Sequence, residues 1–163
     1  MHSCVFQLSK EPIKKEDLAD EWALPEWFDQ YFDGYELYKY GSEEYKRALS
    51  WATGRPDGKW EFIEDKINKH FERMMKNAKM YAQRILDASF AEFKNTGADS
   101  ASFNAYLLGE EINDHTGYWI YINDEFNDEL LTFDEFCRYY LLDENKNASN
   151  QTFYVGSIWD YHN

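Results

Sequence analysis

The sequence contains few cysteines and no long apolar run. Cys4 and Cys137 are the two cysteines, and no stretch reaches the roughly 18 consecutive apolar residues that a membrane-spanning helix requires. The N-terminal segment MHSCVFQLSKEPIKK has neither the basic leader nor the apolar core of a signal peptide. We therefore expect a soluble cytoplasmic protein without a membrane partner, in which Cys137 is a small buried hydrophobe rather than half of a disulfide.

The sequence also lacks the motifs of common catalytic and nucleotide-binding sites. Among its 8 glycines there is no GxGxxG, P-loop or GxSxG pattern, which argues against a phosphate-binding loop and against a nucleophile elbow. The four histidines have no zinc-site spacing to cysteines or carboxylates; they are His2, His70, His115 and His162. We therefore expect no cofactor, and the sequence identifies no catalytic, cofactor-binding or metal-ligating residue.

One acidic stretch, DEFNDELLTFDE from Asp124 to Glu135, partly fits a calcium-binding loop. Asp124 and Glu135 occupy the first and twelfth loop positions, but the third position is Phe126 and the sixth, which requires glycine for a sharp turn, is Glu129. Thr132 and Glu135 have instead the spacing of a capping box at the start of a helix. Helix capping explains the pattern better than a metal site.

Basic residues are scarce in the second half of the chain. The total charge is -14, and counting along the sequence gives -4 for residues 1–56, +2 for residues 57–86 and -12 for residues 87–163. A surface of this sign repels phosphate groups, so we expect no direct nucleic-acid binding by the C-terminal half and no binding to anionic membranes. A protein partner with a basic surface fits this charge.

Aromatic residues, in contrast, are abundant. They form 19% of the chain, with 6 Trp, 13 Tyr and 12 Phe. A chain of 163 residues is long enough to bury a core as one domain, and we expect residues 1–163 to form a single domain with the option of a smaller N-terminal lobe at residues 1–56. The aromatics exceed what a core usually needs, which places some of them on a contact surface.

The clearest structural pattern is a long amphipathic helix from about Trp60 to Phe90. At 100° per residue its apolar side chains form one stripe and its basic side chains lie opposite. The stripe consists of Ile63, Ile67, Phe71, Met74, Ala78, Tyr81 and Ile85, and the basic side comprises Lys66, Lys69, Arg73, Lys76 and Arg84. The basic side is either solvated or a docking surface, and interspersed carboxylates favour the solvated interpretation.

Shorter patterns predict strands at SCVFQLS, GYELYKYG, GYWIYIN and TFYVGSIW, and helices at IKKEDLADEWALPEWFDQYF, SEEYKRALSWATG, ADSASFNAYLLGEEIND and LTFDEFCRYYLL. In the second of these helices Ser42 and Gly54 are the expected cap and stop. Strands scattered among helices predict an α+β fold. We expect a single compact domain in which the long central helix packs against a small, mostly antiparallel sheet and shorter helices.

These observations favour a non-enzymatic cytoplasmic interaction protein of a bacterial or phage-like type, acting through an acidic, aromatic-rich surface built mainly from the C-terminal half. One alternative is a DNA mimic that occupies the basic groove of a nucleic-acid-binding enzyme. Another is a small enzyme whose site is assembled from scattered carboxylate, His and Tyr side chains. A third is a self-associating module, which would form a homodimer through exposed aromatics.

Overall fold

The computed structural model describes residues 2–32, 34–113, 117–123 and 128–162, and within these ranges the chain forms two compact units. We call Met1–Glu64 with Thr116–Asn163 the sheet unit, and Asp65–His115 the helical unit. Residues 1–56 thus belong to the same unit as the C-terminal part of the chain.

The described residues contain six strands and six α-helices. The strands are β1 (His2–Ser9), β2 (Tyr35–Leu37), β3 (Lys59–Phe62), β4 (Trp119–Asn123), β5 (Asp128–Thr132) and β6 (Gln151–His162). The helices are α1 (Glu26–Tyr31), α2 (Glu43–Thr53), α3 (Glu64–Leu86), α4 (Phe90–Lys94), α5 (Ala101–Asn113) and α6 (Phe133–Phe136). A 3-10 turn (Lys15–Asp17) precedes α1, and a π-helical turn (Cys137–Leu141) continues α6.

All six strands form one mixed sheet in which antiparallel pairing dominates. Strand β6 lies between β1 on one side and both β2 and β3 on the other, and all three pair with it in antiparallel orientation. Strand β1 continues the sheet through a parallel pairing with β4, and β5 pairs antiparallel with β4 at the far edge. The predicted α+β fold with a mostly antiparallel sheet is therefore confirmed.

Each face of the sheet carries its own aromatic core, because successive side chains of a strand point to opposite faces. On the first face, Val5 and Trp159 pack with Phe28 of α1 and with neighbours on β4 and β6. On the second face, Phe6 contacts Trp60 of β3 with ring centroids 5.1 Å apart. The ring of Phe136 from α6 lies 5.2 Å from that of Phe153 on the same face. Most aromatic side chains of β4 and β6 are therefore buried in these two cores.

A bulge interrupts the pairing of β1 with β6. The register shifts between Phe6 and Leu8, and the buried side chain of Gln7 fills the irregularity. Its Oε1 accepts hydrogen bonds from the N–H groups of Ala19 and Ser157, at 3.0 and 2.9 Å, and its Nε2 donates to the Asp17 carbonyl at 3.0 Å. This side chain therefore satisfies backbone groups that the bulge and the following loop leave without ladder partners.

Several predicted helix ends are confirmed. Ser42 caps α2 by accepting a hydrogen bond from the Tyr45 N–H, and Gly54 ends the helix in the left-handed conformation at φ 69°. Thr132 and Glu135 form both bonds of the predicted capping box at the start of α6. The helix expected upstream of Pro25 is wrong, because that segment contains one 3-10 turn and α1 begins at Glu26.

The long helix is confirmed, with shorter bounds than expected. It runs over 23 residues from Glu64 to Leu86, whereas residues 59–62 form β3, in which Trp60 and Phe62 alternate with exposed or half-buried residues. Pairing with β6 overrides the helical periodicity there. The amphipathic pattern holds within α3, where Ile67 and Met74 are buried and the predicted basic side chains are exposed. Ile63, the first residue of the predicted stripe, precedes the helix and is exposed. No helix among the described residues is both long and apolar enough to cross a membrane.

In the helical unit, a side-chain hydrogen bond from Asn77 Nδ2 to Glu111 Oε1, at 3.1 Å, joins α3 and α5. Helix α4, which contacts α5, begins with a capping box formed by Ser89 and Glu92. The unit exposes large apolar side chains on α4, with Phe90 at 79% and Phe93 at 66% exposure. Part of the aromatic excess in the sequence therefore lies at the surface of this unit.

Candidate functional site: an acidic aromatic surface beside the first helix

The segment of residues 16–31 combines exposed aromatic rings with a run of carboxylates. It has no Lys, Arg or His and contains six carboxylates, which are Glu16, Asp17, Asp20, Glu21, Glu26 and Asp29. Three large aromatic side chains of the same segment are exposed, with Trp22 at 81%, Trp27 at 46% and Tyr31 at 58%. We call this segment, together with the strand-edge residues Tyr121, Asn123 and Asp128 described below, the acidic aromatic surface.

The local sequence explains why these rings face outward. Helix α1 is only six residues long, and its apolar side at Phe28 packs in the first-face core. Trp27 and Tyr31 are four residues apart and therefore share another side of the helix. Trp22 lies in the preceding turn, where its N–H donates to Asp20 Oδ1 at 2.9 Å. Because Phe28 already fills the core, the flanking aromatics are left at the surface.

Trp27 is the most firmly held of the exposed rings. Its ring centroid lies 5.8 Å from that of Trp119 and 5.9 Å from that of Phe28. The exposed part of Trp27 thus rests on a buried aromatic base, which fixes its position without filling its outer side. A rigid, partly packed aromatic of this kind is the typical anchor of a protein interface.

A cavity of about 420 Å³ opens beside the carboxylates of this surface. Its lining includes Glu16, Asp17, Asp20, Ala23, Tyr121 and Asn123. A second cavity, of about 540 Å³, shares Gln7, Asp17 and Asn123 with the first and continues along the loop to Glu11 and Ile13. The acidic aromatic surface therefore has concave parts that can receive a side chain of a partner.

The cavity floor brings together residues that are distant in the sequence. The Tyr121 hydroxyl lies 3.4 Å from Asp128 Oδ1 and accepts a hydrogen bond from Asn123 Nδ2 at 3.2 Å. Burial is the main cause of the raised pKa of Tyr121, and the neighbouring carboxylates Asp128 and Asp20 add to it. Carboxylates from residues 16–31 and from β5 therefore act on the same hydroxyl.

The same negative field reaches the other end of the segment. The pKa of Tyr35 on β2 is raised, first by burial and then by the carboxylates of Asp29 and Glu21. A nearby anion disfavours the ionised phenolate, which accounts for the direction of the shift. The field of the acidic aromatic surface is therefore negative both at Tyr121 and at Tyr35, and it favours a cationic partner.

The structure assigns other roles to the acidic stretch of residues 124–135. Asp124 to Asn127 lie outside the described residues, while Asp128 belongs to β5 and Glu135 caps α6. Among the described residues, no three His, Cys, Asp or Glu side chains are grouped closely enough to hold a metal ion. Asp128 places its carboxylate 3.4 Å from the Tyr121 hydroxyl.

The histidines are dispersed. His115 lies outside the described residues. His70 is half-buried on α3, with its Nδ1 3.4 Å from the Arg73 guanidinium. His162 ends β6, with its Nε2 3.6 Å from Asp160 Oδ2. Cys4 and Cys137 are both buried, as expected for Cys137.

We expected an acidic, aromatic-rich surface mainly in the C-terminal half, and the sequence analysis did not single out residues 16–31, where the exposed rings and most carboxylates of the acidic aromatic surface lie. The run of carboxylates and aromatics in residues 16–31 is visible in the sequence, whereas the sequence gives no signal that Tyr121, Asn123 and Asp128 lie beside it. Comparisons with protein-family models, with curated proteins and with solved structures find no match. The function must therefore be argued from the geometry of the chain itself.

Proposed function

We propose that the protein is a non-enzymatic cytoplasmic interaction module that binds a basic segment of a protein partner through the acidic aromatic surface. The supporting observation is the coincidence of exposed Trp22, Trp27 and Tyr31 with six carboxylates and no cation in residues 16–31. Arginine suits such a surface best, because its planar guanidinium stacks on aromatic rings and pairs with carboxylates.

The arrangement provides two kinds of contact. The cavity at Tyr121 accepts the charged end of an Arg or Lys side chain beside Glu16, Asp17 and Asp20. Outside this cavity, the exposed rings of Trp22 and Tyr31 offer flat apolar surfaces for contact with the partner. An exposed cation–π contact contributes about 0.5 to 1 kcal/mol, so affinity requires several basic residues in one segment. The partner is therefore a basic peptide stretch rather than a single cation.

A direct test measures the binding of a fluorescent oligo-arginine peptide by anisotropy, at low and at raised salt. We expect binding to weaken with salt, since exposed charges are screened. The double variant W22A/Y31A should weaken binding roughly fivefold to thirtyfold, which corresponds to the loss of two exposed cation–π contacts. The distant exposed aromatic Tyr139 provides the matched control, and Y139A should leave affinity unchanged.

The contribution of charge is tested separately with D20N/E21Q. This variant should weaken peptide binding, whereas E72Q/D99N removes the same number of charges from the helical unit and should have little effect. Equal losses in both variants would mean that net charge, rather than this surface, attracts the peptide. That result would contradict the proposal.

The exposed aromatics also distinguish this function from DNA mimicry. Imitation of a phosphate backbone needs carboxylates but no exposed Trp or Tyr rings. We therefore expect the protein not to displace duplex DNA from unrelated DNA-binding enzymes. Salt-dependent displacement that persists in W22A/Y31A would favour the DNA-mimic alternative over the proposed function.

A further inference from the structure

A third cavity lies on the other face of the sheet and is separate from the acidic aromatic surface. Its volume is about 360 Å³, which falls in the lower part of the range for small-molecule sites. Helix α2 and the ends of β1 and β6 form it. Its lining includes Cys4, Tyr38, Arg47, Ala48, Trp51 and Asp160.

The strand pairing explains how the floor of this cavity is built. Cys4 and Asp160 are direct partners in the pairing of β1 with β6, so their side chains lie next to each other on one face. Their neighbours Val5 and Trp159 point to the opposite face and pack in the first core. The carboxylate of Asp160 is thereby placed on the α2 side, with 11% of its side chain exposed.

Polar neighbours hold this carboxylate in place. Burial and then the nearby charge of Asp160 raise the pKa of Tyr38, and His162 Nε2 lies 3.6 Å from Asp160 Oδ2. The Tyr38 N–H donates to the Ile158 carbonyl at 2.9 Å, which fixes the backbone that carries the tyrosine. The acidic floor is therefore a preorganised feature of the fold.

The opposite wall is apolar and aromatic. Trp51 is 64% exposed, and its ring stands edge-on to that of Tyr118 with centroids 5.3 Å apart. Ala48, one turn earlier on α2, is buried and gives the wall a flat, small-residue base. A ligand between Trp51 and Asp160 would therefore meet an aromatic ring on one side and a carboxylate on the other.

The charges around the cavity favour a cation. Glu36 is the direct pairing partner of Asp160 on β2, and Glu44 belongs to the lining. Arg47 supplies positive charge, but it interacts electrostatically with Glu44, which reduces its effect on a ligand. The remaining field is negative, and Asp160 is its most buried source.

The Cys4 thiol and the Tyr38 phenol remain neutral near pH 7. Burial, followed by the charge of Asp160, raises the pKa of the Cys4 thiol to about 12. The same two causes lead the rise of the pKa of Tyr38 to about 12. A protonated thiol is a poor nucleophile and a protonated phenol is a poor base. The cavity is therefore suited to binding rather than to nucleophilic or base catalysis by these groups.

We propose that this cavity binds an organic cation, with an ammonium group at the Asp160 carboxylate and an apolar body against Trp51 and Ala48. A partly buried carboxylate gains most from a ligand that brings the opposite charge and hydrogen-bond donors. The Trp51 ring adds apolar contact with the body of the ligand. A neutral ligand obtains only the apolar part of these interactions, and an anion is repelled by Asp160.

Three probes of similar shape and different charge test this inference by calorimetry on the full chain. The probes are phenethylammonium, the neutral 2-phenylethanol and the anion 3-phenylpropionate. We expect phenethylammonium to bind with a Kd of about 1 mM or below, the alcohol to bind about tenfold more weakly, and the anion to show no binding.

Variants locate the site. Asp160→Asn keeps the shape and should weaken phenethylammonium about tenfold while leaving the alcohol unchanged. Trp51→Ala, at a position that is 64% exposed, should weaken both. Trp22→Ala is the matched control outside the cavity and should weaken neither, although it weakens binding of the arginine peptide. Failure of this inference is thus distinguishable from failure of the proposed function.

Three results would overturn the inference. The first is an alcohol that binds as tightly as the ammonium probe, because charge would then not be recognised. The second is unchanged ammonium binding in Asp160→Asn with the fold intact by circular dichroism. The third is an absence of ammonium binding at concentrations of about 10 mM, which are well above the expected Kd.

Discussion

Gln7 and Ser157 are joined across the bulge between β1 and β6, where Gln7 Oε1 accepts a hydrogen bond from the Ser157 N–H at 2.9 Å. The same oxygen also receives the Ala19 N–H, so one side chain holds two strands and the loop that leads to the acidic aromatic surface. Ser157 also contacts this loop directly, because its hydroxyl donates a hydrogen bond to the Ala19 carbonyl at 2.6 Å.

Replacing Gln7 by Leu should destabilise the protein strongly. The substitution keeps an apolar side chain of similar size but leaves the buried Ser157 N–H, the Ala19 N–H and the Asp17 carbonyl without their partner. At about 1 to 3 kcal/mol for a group left unsatisfied, we expect a loss of at least about 3 kcal/mol in urea unfolding. Gln83→Leu, at an exposed position on α3, should change stability by less than about 0.5 kcal/mol.

Gly156→Ala should also destabilise the protein, because of space rather than backbone conformation. A Cβ at this position would overlap Gln7 Oε1 and would lie 2.7 Å from Ile13 Cδ1. Overpacking of this kind costs about 1 to 3 kcal/mol. The matched control is Gly109→Ala on α5, where a Cβ meets nothing within 4 Å and where alanine should stabilise the helix by about 0.5 to 1 kcal/mol. Thermal unfolding of the two variants should therefore shift in opposite directions.

Thr132→Ala should remove the capping box of α6. Thr132 Oγ1 accepts the Glu135 N–H at 3.2 Å, and Glu135 Oε2 accepts the Thr132 N–H at 2.9 Å. Loss of such a cap costs about 1 kcal/mol, and Thr132→Ser should recover most of it. Equal stability of the Ala and Ser variants in denaturant unfolding would show that the cap contributes little here.

Stability should fall in the alkaline range. The pKa values of Cys4, Tyr38 and Tyr118 are each raised to about 12, with burial as the leading cause. Their ordinary values are 9.0 for the thiol and 10.0 for the phenols, so the unfolded chain releases these protons first. Stability from these groups is complete below pH 9 and declines as pH rises towards 12.

The measurement is urea unfolding at a series of pH values from 8 to 12, with tyrosine ionisation followed by absorbance. Cys4→Ala should flatten the first part of the decline, near pH 9 to 10, because it removes the group that titrates earliest in the unfolded chain. The Cys4 thiol should also react slowly with iodoacetamide in the native protein. If stability declined identically in the original chain and in Cys4→Ala, ionisation of the Cys4 thiol would not contribute to the decline.

Much of the local structure could be predicted because it depends on short-range chemistry. The cap at Ser42, the stop at Gly54 and the capping box at Thr132 follow from side-chain groups within one helical turn. The amphipathic pattern of α3 depends on its own spacing alone. Strands β1 and β4 were also predicted, because they are rich in apolar and β-branched residues.

Strands β3 and β5 were not predicted, because their local sequence has no clear strand pattern and contacts with neighbouring strands stabilise them. β3 continues the helical stripe of α3 in sequence, but Trp60 pairs with Phe153 and packs against Phe6. β5 begins in an acidic stretch without β propensity and is held by β4, with Leu131 opposite Ile120. In both cases the deciding contacts are far away in the sequence.

The sequence by itself determined the run of carboxylates and aromatics without a cation in residues 16–31, and the strongly negative total charge. Only the tertiary structure decided which of these groups meet. The pairing of β1 with β6 places Cys4 beside Asp160, and the neighbouring strands bring Tyr121 and Asp128 to Asp20. Strand register and the alternation of side chains between sheet faces create these neighbourhoods, and neither can be derived from local spacing.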